Sequence, residues 1–154
     1  MLKPKSQATN YQLPATNSHG FTLIELLVAA TIAIILTTIG VVSYQSAMRK
    51  SRDGKRKADL EQIRAALEMY RSDCGSYPDN ISFGSSLVGG KDECSGNTYM
   101  QTVPQDPKDP TYHYSYAKLG DSYVLCAYLE GESGGSTSCG SCGDQNCNYE
   151  VSSP

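Results

Sequence analysis

The chain has 154 residues, with 13 Lys and Arg against 16 Asp and Glu, a formal charge of -3 and a pI near 5.3. This balance argues against nucleic acid as the main partner, because phosphate binding requires a basic surface. One continuous apolar block lies near the N-terminus, and the polar remainder holds all six cysteines. The composition therefore excludes a simple cytosolic protein with a single core.

The apolar block runs from Phe21 to Val42 and contains one charged residue. A helix of this length extends about 33 Å, against about 30 Å of bilayer hydrocarbon, so the block predicts a transmembrane helix. A cleavable secretory signal has a shorter apolar region, followed by a small-residue cleavage site, whereas a strongly basic stretch follows here. A plain signal anchor is the alternative.

The segment HGFTLIE, from His19 to Glu25, joins the polar residues 1–20 to the apolar block. A carboxylate inside such a block costs a few kcal/mol on insertion, about 3, so Glu25 is expected to have a functional partner. The segment resembles the processing motif of the type IV pilin and type II secretion pseudopilin superfamily. The resemblance implies that residues 1–20 are a leader, cut after Gly20 by a prepilin peptidase, and that Phe21 is N-methylated.

The same resemblance implies that Glu25 assists assembly into a filament. In a bundle of identical helices, Glu25 of one subunit could pair with the terminal amine of Phe21 on its neighbour and neutralise both charges. The alternative is that Glu25 reaches the membrane interface and has no such role.

The helix is predicted to continue through residues 43–71, because Val42 to Arg71 contains no proline. Apolar residues recur there at spacings of 3, 4 and 3, at Leu60, Ile63, Leu67 and Tyr70. This pattern predicts an amphipathic extension whose apolar face packs on the C-terminal domain.

Six basic residues follow the apolar block, namely Arg49, Lys50, Arg52, Lys55, Arg56 and Lys57. The positive-inside rule would place this side of the membrane in the cytoplasm. The resemblance implies the opposite orientation, which we adopt, with the C-terminal domain outside the cytoplasm. The basic run could contact acidic faces of neighbouring subunits or lipid headgroups, or be a solvated helix face.

Residues 72–154 are predicted to form a small, cysteine-rich β domain. Turn residues between Cys74 and Asn80 end the helix, and prolines between Val103 and Pro110 forbid another. Alternating residues predict strands over 111–116 and 122–129, joined as a hairpin. The expected fold class is α+β, a pilin-type fold with one long N-terminal helix on a small antiparallel sheet with disulfide-rich loops. The order of these segments also resembles the major-subunit branch of the superfamily.

The cysteines make an even set confined to this domain: Cys74, Cys94, Cys126, Cys139, Cys142 and Cys147. In an oxidising compartment, disulfides are expected to staple so small a domain. We suggest a pairing in which one disulfide joins Cys74 to Cys94 and two more join the other four cysteines among themselves. The alternative is a zinc site of four thiolates, from Cys126 and the last three cysteines.

No cofactor is expected, with calcium as the alternative. Some major pseudopilins of the resembling family hold calcium in a C-terminal loop, but the loop after Glu132 departs from that pattern. Hard oxygen ligands for calcium are available from Asp106, Asp109, Asp121, Glu130 and Glu132. The only histidines are His19 and His113, and no nucleophile-base set or phosphate loop is present, so we do not expect an enzyme.

Together these features predict a structural subunit of a type IV pilus-like filament, serving adhesion, motility or DNA uptake. A major pseudopilin of a type II secretion system is the alternative, and a membrane-anchored, disulfide-rich binding module is the alternative from another class. Expected partners are other copies of the chain, the prepilin peptidase, the assembly platform and motor proteins, and membrane lipid before assembly. The expected location is the cytoplasmic membrane, then an extracellular pilus or periplasmic pseudopilus.

Overall fold

A computed structural model describes residues 20–90, 94–132, 135 and 137–153. It contains one long helix and five short strands in these ranges. In chain order they are α1 (Leu23–Cys74), β1 (Leu87–Val88), β2 (Thr98–Met100), β3 (Ser115–Leu119), β4 (Ser122–Ala127) and β5 (Tyr149–Ser152). This is the α+β class that the sequence predicts. Leader residues 1–19 lie outside the described ranges.

The chain divides into two compact units, one up to Gly40 and one from Val41 onward. In the described part of the first unit, the residues are helical from Leu23 and all of them are solvent-exposed. Helix α1 includes a window that is long and apolar enough to cross a membrane. Length and composition thus agree with the predicted span.

The core of the second unit is built on the predicted apolar face of α1. Leu60, Ile63 and Leu67 are fully buried and belong to one cluster with Tyr123 and Leu125 of β4. The 3-4-3 spacing places these helix residues on one side, and burial of that side holds the helix to the sheet. The helix ends at Cys74, three residues beyond the predicted end. Gly75 follows with φ of 75°, the left-handed conformation that favours glycine after a helix.

Two antiparallel sheets complete the unit: β1 pairs with β2, and β4 lies between β3 and β5. The β3–β4 pair is the predicted hairpin, with Leu119 opposite Ser122 and Ser115 opposite Cys126. A two-residue loop joins them, and its Gly120 has φ of 63°, which suits a tight hairpin turn. The strands β1 and β2 lie in a part of the chain for which no strand was predicted.

The first strand of the hairpin lies further along the chain than predicted. The expectation was 111–116, whereas β3 covers Ser115–Leu119. Thr111 and Tyr112 donate their amide hydrogens to the carbonyl of Lys108, and His113 donates to the carbonyl of Cys142. These backbone groups are therefore used by a turn and by the C-terminal loop, which leaves the strand to begin after them.

Candidate assembly site

The N-terminus of α1 is organised by Thr22. Its side-chain oxygen accepts a hydrogen bond from the backbone N–H of Glu25 at 3.3 Å. Thr22 and Glu25 thus occupy the N-cap and N3 positions, where Ser or Thr and an acidic residue are favoured. The acidic group also lies in the first turn, near the positive end of the helix dipole. The spacing of these two residues accordingly gives the helix a defined start.

The predicted cleavage and assembly residues are all exposed. Phe21 has 76% of its surface exposed, and a Cβ built on Gly20 would meet no atom within 4 Å. Packing in the described chain therefore does not require glycine at position 20. Among the described residues, the Glu25 carboxylate has no hydrogen-bond or ion-pair partner. The isolated subunit leaves these groups open to other molecules.

Three threonines in the apolar part of α1 satisfy their hydroxyl groups within the helix. The hydroxyl of Thr31 donates to the carbonyl of Val28, and the hydroxyl of Thr38 donates to the carbonyl of Ile34, each at 2.8 Å. Thr37 likewise donates to carbonyls within the same helix. Helices in lipid or in an apolar bundle require such internal satisfaction. These three hydroxyls therefore need no partner from outside the helix in an apolar environment.

The basic run divides into two halves. Arg52, Arg56 and Lys57 form ion pairs with acids of the C-terminal domain. Arg49, Lys50 and Lys55 are exposed, and no described residue forms an ion pair with them. Half of the run is therefore structural, and the other half is the part available for neighbours, lipid or solvent.

A charge cluster that the sequence analysis missed lies in the second unit. Arg56 has no exposed surface, and its guanidinium donates to Asp106, Asp53 and Glu130 at 2.7 to 3.0 Å. Burial alone would lower the pKa of Arg56, but the hydrogen bonds to the carboxylates outweigh burial and raise the pKa above its usual value. Asp53 and Arg56 extend the buried stripe of α1 toward its N-terminus at 3- and 4-residue spacing, which is the signal that could have revealed the cluster.

Glu130 is the most heavily bound acid in this cluster. It forms a bidentate pair with Arg52, both distances 2.7 Å, and accepts from Lys108 at 3.0 Å. These contacts, the one with Arg52 foremost, hold the pKa of the Glu130 carboxyl well below its usual range. Asp106 and Glu130, which the sequence analysis names as available calcium ligands, are both bound by distant cations of the same chain.

Buried tyrosines continue the polar contacts along α1. The hydroxyl of Tyr114 donates to Asp59 at 2.9 Å, and the hydroxyl of Tyr77 donates to Glu68. Burial, and then the contact with Asp59, raises the pKa of Tyr114. Burial raises the pKa of Tyr116 to about 12, and its hydroxyl donates to the carbonyl of Pro78. These phenols are accordingly structural and neutral at physiological pH.

The structure pairs all six cysteines: Cys74 with Cys94, Cys126 with Cys139, and Cys142 with Cys147. The first pair is the one suggested from the sequence, and the other four are bridged among themselves. Because these sulfurs are oxidised, they leave no thiolates for the alternative zinc site.

Of the five acids named as calcium ligands, only Asp106 and Glu130 share a contact in the fold. Asp106 and Glu130 contact Arg56, and Glu132 pairs with Lys57. Asp109 and Asp121 are exposed residues of two different turns. The described residues contain no group of three or more His, Cys, Asp or Glu side chains placed to hold a metal ion. This donor set does not fit the calcium alternative.

A capped, exposed apolar helix that continues into a small disulfide-bonded α+β domain defines a pilin-like subunit. Residues 15–41 match the prokaryotic N-terminal methylation motif. Residues 43–142 match the family described as type II secretion system, protein G. The chain belongs to the type II secretion system protein G family.

Two of the three relatives described next carry the name of this family. The chain is 32% identical to the type II secretion system core protein G of Pseudomonas aeruginosa, over 76% of this chain and 87% of the relative. It is 28% identical to the protein of the same name from Aeromonas hydrophila, over 75% and 85%. It is also 30% identical to the "Probable minor fimbrial protein" of Dichelobacter nodosus, over 58% and 54%. No solved structure gives a significant match.

Proposed function

We propose that this chain is the major pseudopilin of a type II secretion system, a structural subunit that polymerises into a periplasmic pseudopilus. The observation that carries the proposal is the exposed apolar part of α1 directly after the prepilin-type segment. The sequence alone favoured a subunit of a surface pilus. The family match over residues 43–142 instead supports a role in secretion. The relatives are named as core proteins of a secretion system, which supports a structural role and not an enzymatic one.

Processing is the first step of this function. A prepilin peptidase cuts between Gly20 and Phe21, and the new terminal amine of Phe21 is methylated. The exposed, uncrowded position of Gly20 supports access of a protease to this bond. The match of residues 15–41 to the methylation motif supports the same site.

Assembly then brings Glu25 of one subunit to the terminal amine of Phe21 on its neighbour. Glu25 has no partner among the described residues of its own chain, and an unpaired carboxylate in an apolar bundle is costly. The charged amine created by cleavage neutralises it, and the short reach of both groups sets the offset between subunits. Cleavage thereby controls assembly.

Transfer of α1 from lipid to the filament core gains little hydrophobic free energy, because both environments are apolar. Helix packing and the pairing of Glu25 with Phe21 therefore supply specificity. The work of extraction comes from assembly-platform and motor proteins. Before assembly the subunit is a single-pass protein of the cytoplasmic membrane, with its disulfide-bonded domain outside the cytoplasm.

A type IV pilus subunit is the second candidate, and the Dichelobacter nodosus relative, named as a fimbrial protein, favours it. A membrane-anchored binding module is the third, and it would not self-associate. Deletion of the gene distinguishes them. Loss of exported proteins from the medium with surface fibres retained supports the pseudopilin, loss of surface fibres supports the pilus, and loss of neither supports the binding module.

The pairing of Glu25 is tested by complementing that deletion with Glu25→Ala. We expect normal cleavage but at least a roughly 10-fold loss of cross-linked multimers, because the change removes about 1.4 kcal/mol or more from each contact. Glu61→Ala is the matched control, since Glu61 is also an exposed glutamate of α1. Normal multimers from Glu25→Ala would refute the pairing.

A further inference from the structure

The Arg56 guanidinium lies at the centre of three carboxylates from three chain segments. Nε and Nη2 donate to the two oxygens of Asp106, at 2.7 and 3.0 Å. Nη1 donates to Asp53 at 2.8 Å and to Glu130 at 3.0 Å. Asp53 belongs to α1, Asp106 to the proline-rich loop, and Glu130 to the turn after β4. One buried cation thus fixes both loops to the helix.

The same carboxylates also organise the backbone around them. Asp53 accepts the backbone N–H groups of Glu130 at 2.9 Å and Gly131 at 2.8 Å. Asp106 accepts the backbone N–H of Lys108 at 2.8 Å. Each loop is therefore held by a carboxylate that is itself held by Arg56. No buried side-chain nitrogen or oxygen in the described part of the chain is left without a hydrogen bond.

Formal charges within the cluster balance without a metal. Three cations, Arg52, Arg56 and Lys108, contact the three carboxylates. Calcium requires six to eight oxygen ligands, at about 2.3 to 2.6 Å. Here N–H donors already occupy the carboxylate oxygens, and a divalent ion among them would lie beside a buried guanidinium and be repelled.

We propose that the buried Arg56 guanidinium takes the structural place of a divalent metal ion in this domain, so that its loops are held without calcium. Arginine suits this position because its planar group presents five donors in several directions. A lysine ammonium would carry the charge but could not span both oxygens of Asp106 and reach the other two carboxylates. This inference is independent of whether the filament is a pseudopilus or a pilus.

The test compares thermal unfolding of the full chain in detergent with millimolar CaCl2 and with EDTA. We expect the two midpoints to agree to within about 1 °C, whereas a calcium site filled at a hundred times its Kd would raise the midpoint by roughly 10 °C. A calcium-dependent rise of that size in the wild-type chain, with saturable binding of one ion in equilibrium dialysis, would overturn the proposal.

Two variants of Arg56 and one control variant test the role of the arginine itself. Arg56→Met leaves buried carboxylates without their central cation, and we expect its midpoint to fall by more than roughly 10 °C. Arg56→Lys should lie between it and the wild type. Arg64→Met, an arginine of the same helix with only a 3.6 Å contact to Glu61, is the control. An Arg56→Met midpoint equal to that of the control would contradict the proposal. If Arg56→Met yields no folded protein, the wild-type calcium comparison and Arg56→Lys still decide.

Discussion

Glu130 shows how strongly single residues of this domain depend on distant partners. Its carboxylate contacts Arg52 from 78 positions earlier in the chain and Lys108 from 22 positions earlier. Arg52 keeps 23% of its side chain exposed, whereas Arg56 has none, so the contact with Arg56 is the better shielded from solvent. The contacts that hold this domain are therefore made by charged side chains of a kind that water normally solvates at a protein surface.

Acid should weaken the domain through Glu130. Because the folded-state pKa of this carboxyl is depressed, its stabilisation is complete above the unfolded pKa of about 4.3 and is lost as the pH falls below it. We expect the free energy of unfolding, from urea titrations between neutral pH and roughly pH 3, to fall steeply below pH 4.3. Glu130→Gln should be less stable at neutral pH and have a flatter acid dependence.

Glu61→Gln is the matched control, because Glu61 is exposed and its ion-pair distance is 3.6 Å. Its acid profile should follow that of the wild type. If Glu130→Gln loses stability in parallel with the wild type below pH 4.3, another carboxyl causes the acid sensitivity.

At the scale of elements, α1 and the disulfides hold the domain together. Cys74 is the last residue of α1, and its disulfide bond to Cys94 links the end of the helix to the segment between β1 and β2. A Cβ on Gly89 would clash with the backbone carbonyl of Cys94, so the chain is closely packed beside this bond. The two remaining disulfides join β4 to the C-terminal loop and close that loop on itself.

Removal of the disulfides should cost stability in order of loop length. The Cys74–Cys94 loop spans 20 residues and the Cys142–Cys147 loop spans 5. The chain-entropy relation then predicts losses of about 3 and about 2 kcal/mol for the corresponding double serine variants. Chemical unfolding of both variants measures the difference. A larger loss from the shorter loop would contradict this account, as would free thiols in the oxidised wild-type chain.

The elements differ in how much of them the sequence could predict. Periodic spacing from Leu60 to Tyr70 identified the buried face of α1, because local pattern decides which side of a helix is apolar. The strand predicted at 122–129 was recognisable from its local sequence pattern, and β4 covers Ser122–Ala127. The start of β3 was not, since Thr111 and His113 alternate like strand residues but form hydrogen bonds with a turn and with Cys142.

For the Arg56 cluster, local spacing indicates that Asp53 and Arg56 lie on the buried face of α1, but not which other residues bind them. Two of the three carboxylates that bind Arg56 lie 50 and 74 positions away, and nothing within a short window joins a basic run to a proline-rich loop. The segment from Gly20 to Glu25 is the reverse case. Its proposed role involves enzymes and neighbouring subunits, so the sequence motif predicts that role, whereas the structure of a single chain adds the exposure and the helix cap.

At the scale of the whole molecule, the chain combines two units with different surfaces. The first unit exposes apolar residues over the described part of its length, including Leu23 and Ile39. The second is a domain held by buried charges and three disulfides, which suits an oxidising compartment.

The most direct measurement of the central claim is the mass of the mature subunit in filaments or membranes isolated from the native cells. We expect a chain of 134 residues that begins at Phe21, carries one methyl group on its terminal amine, and is recovered in multimers. A chain of 154 residues that retains its leader and occurs only as a membrane monomer would contradict it.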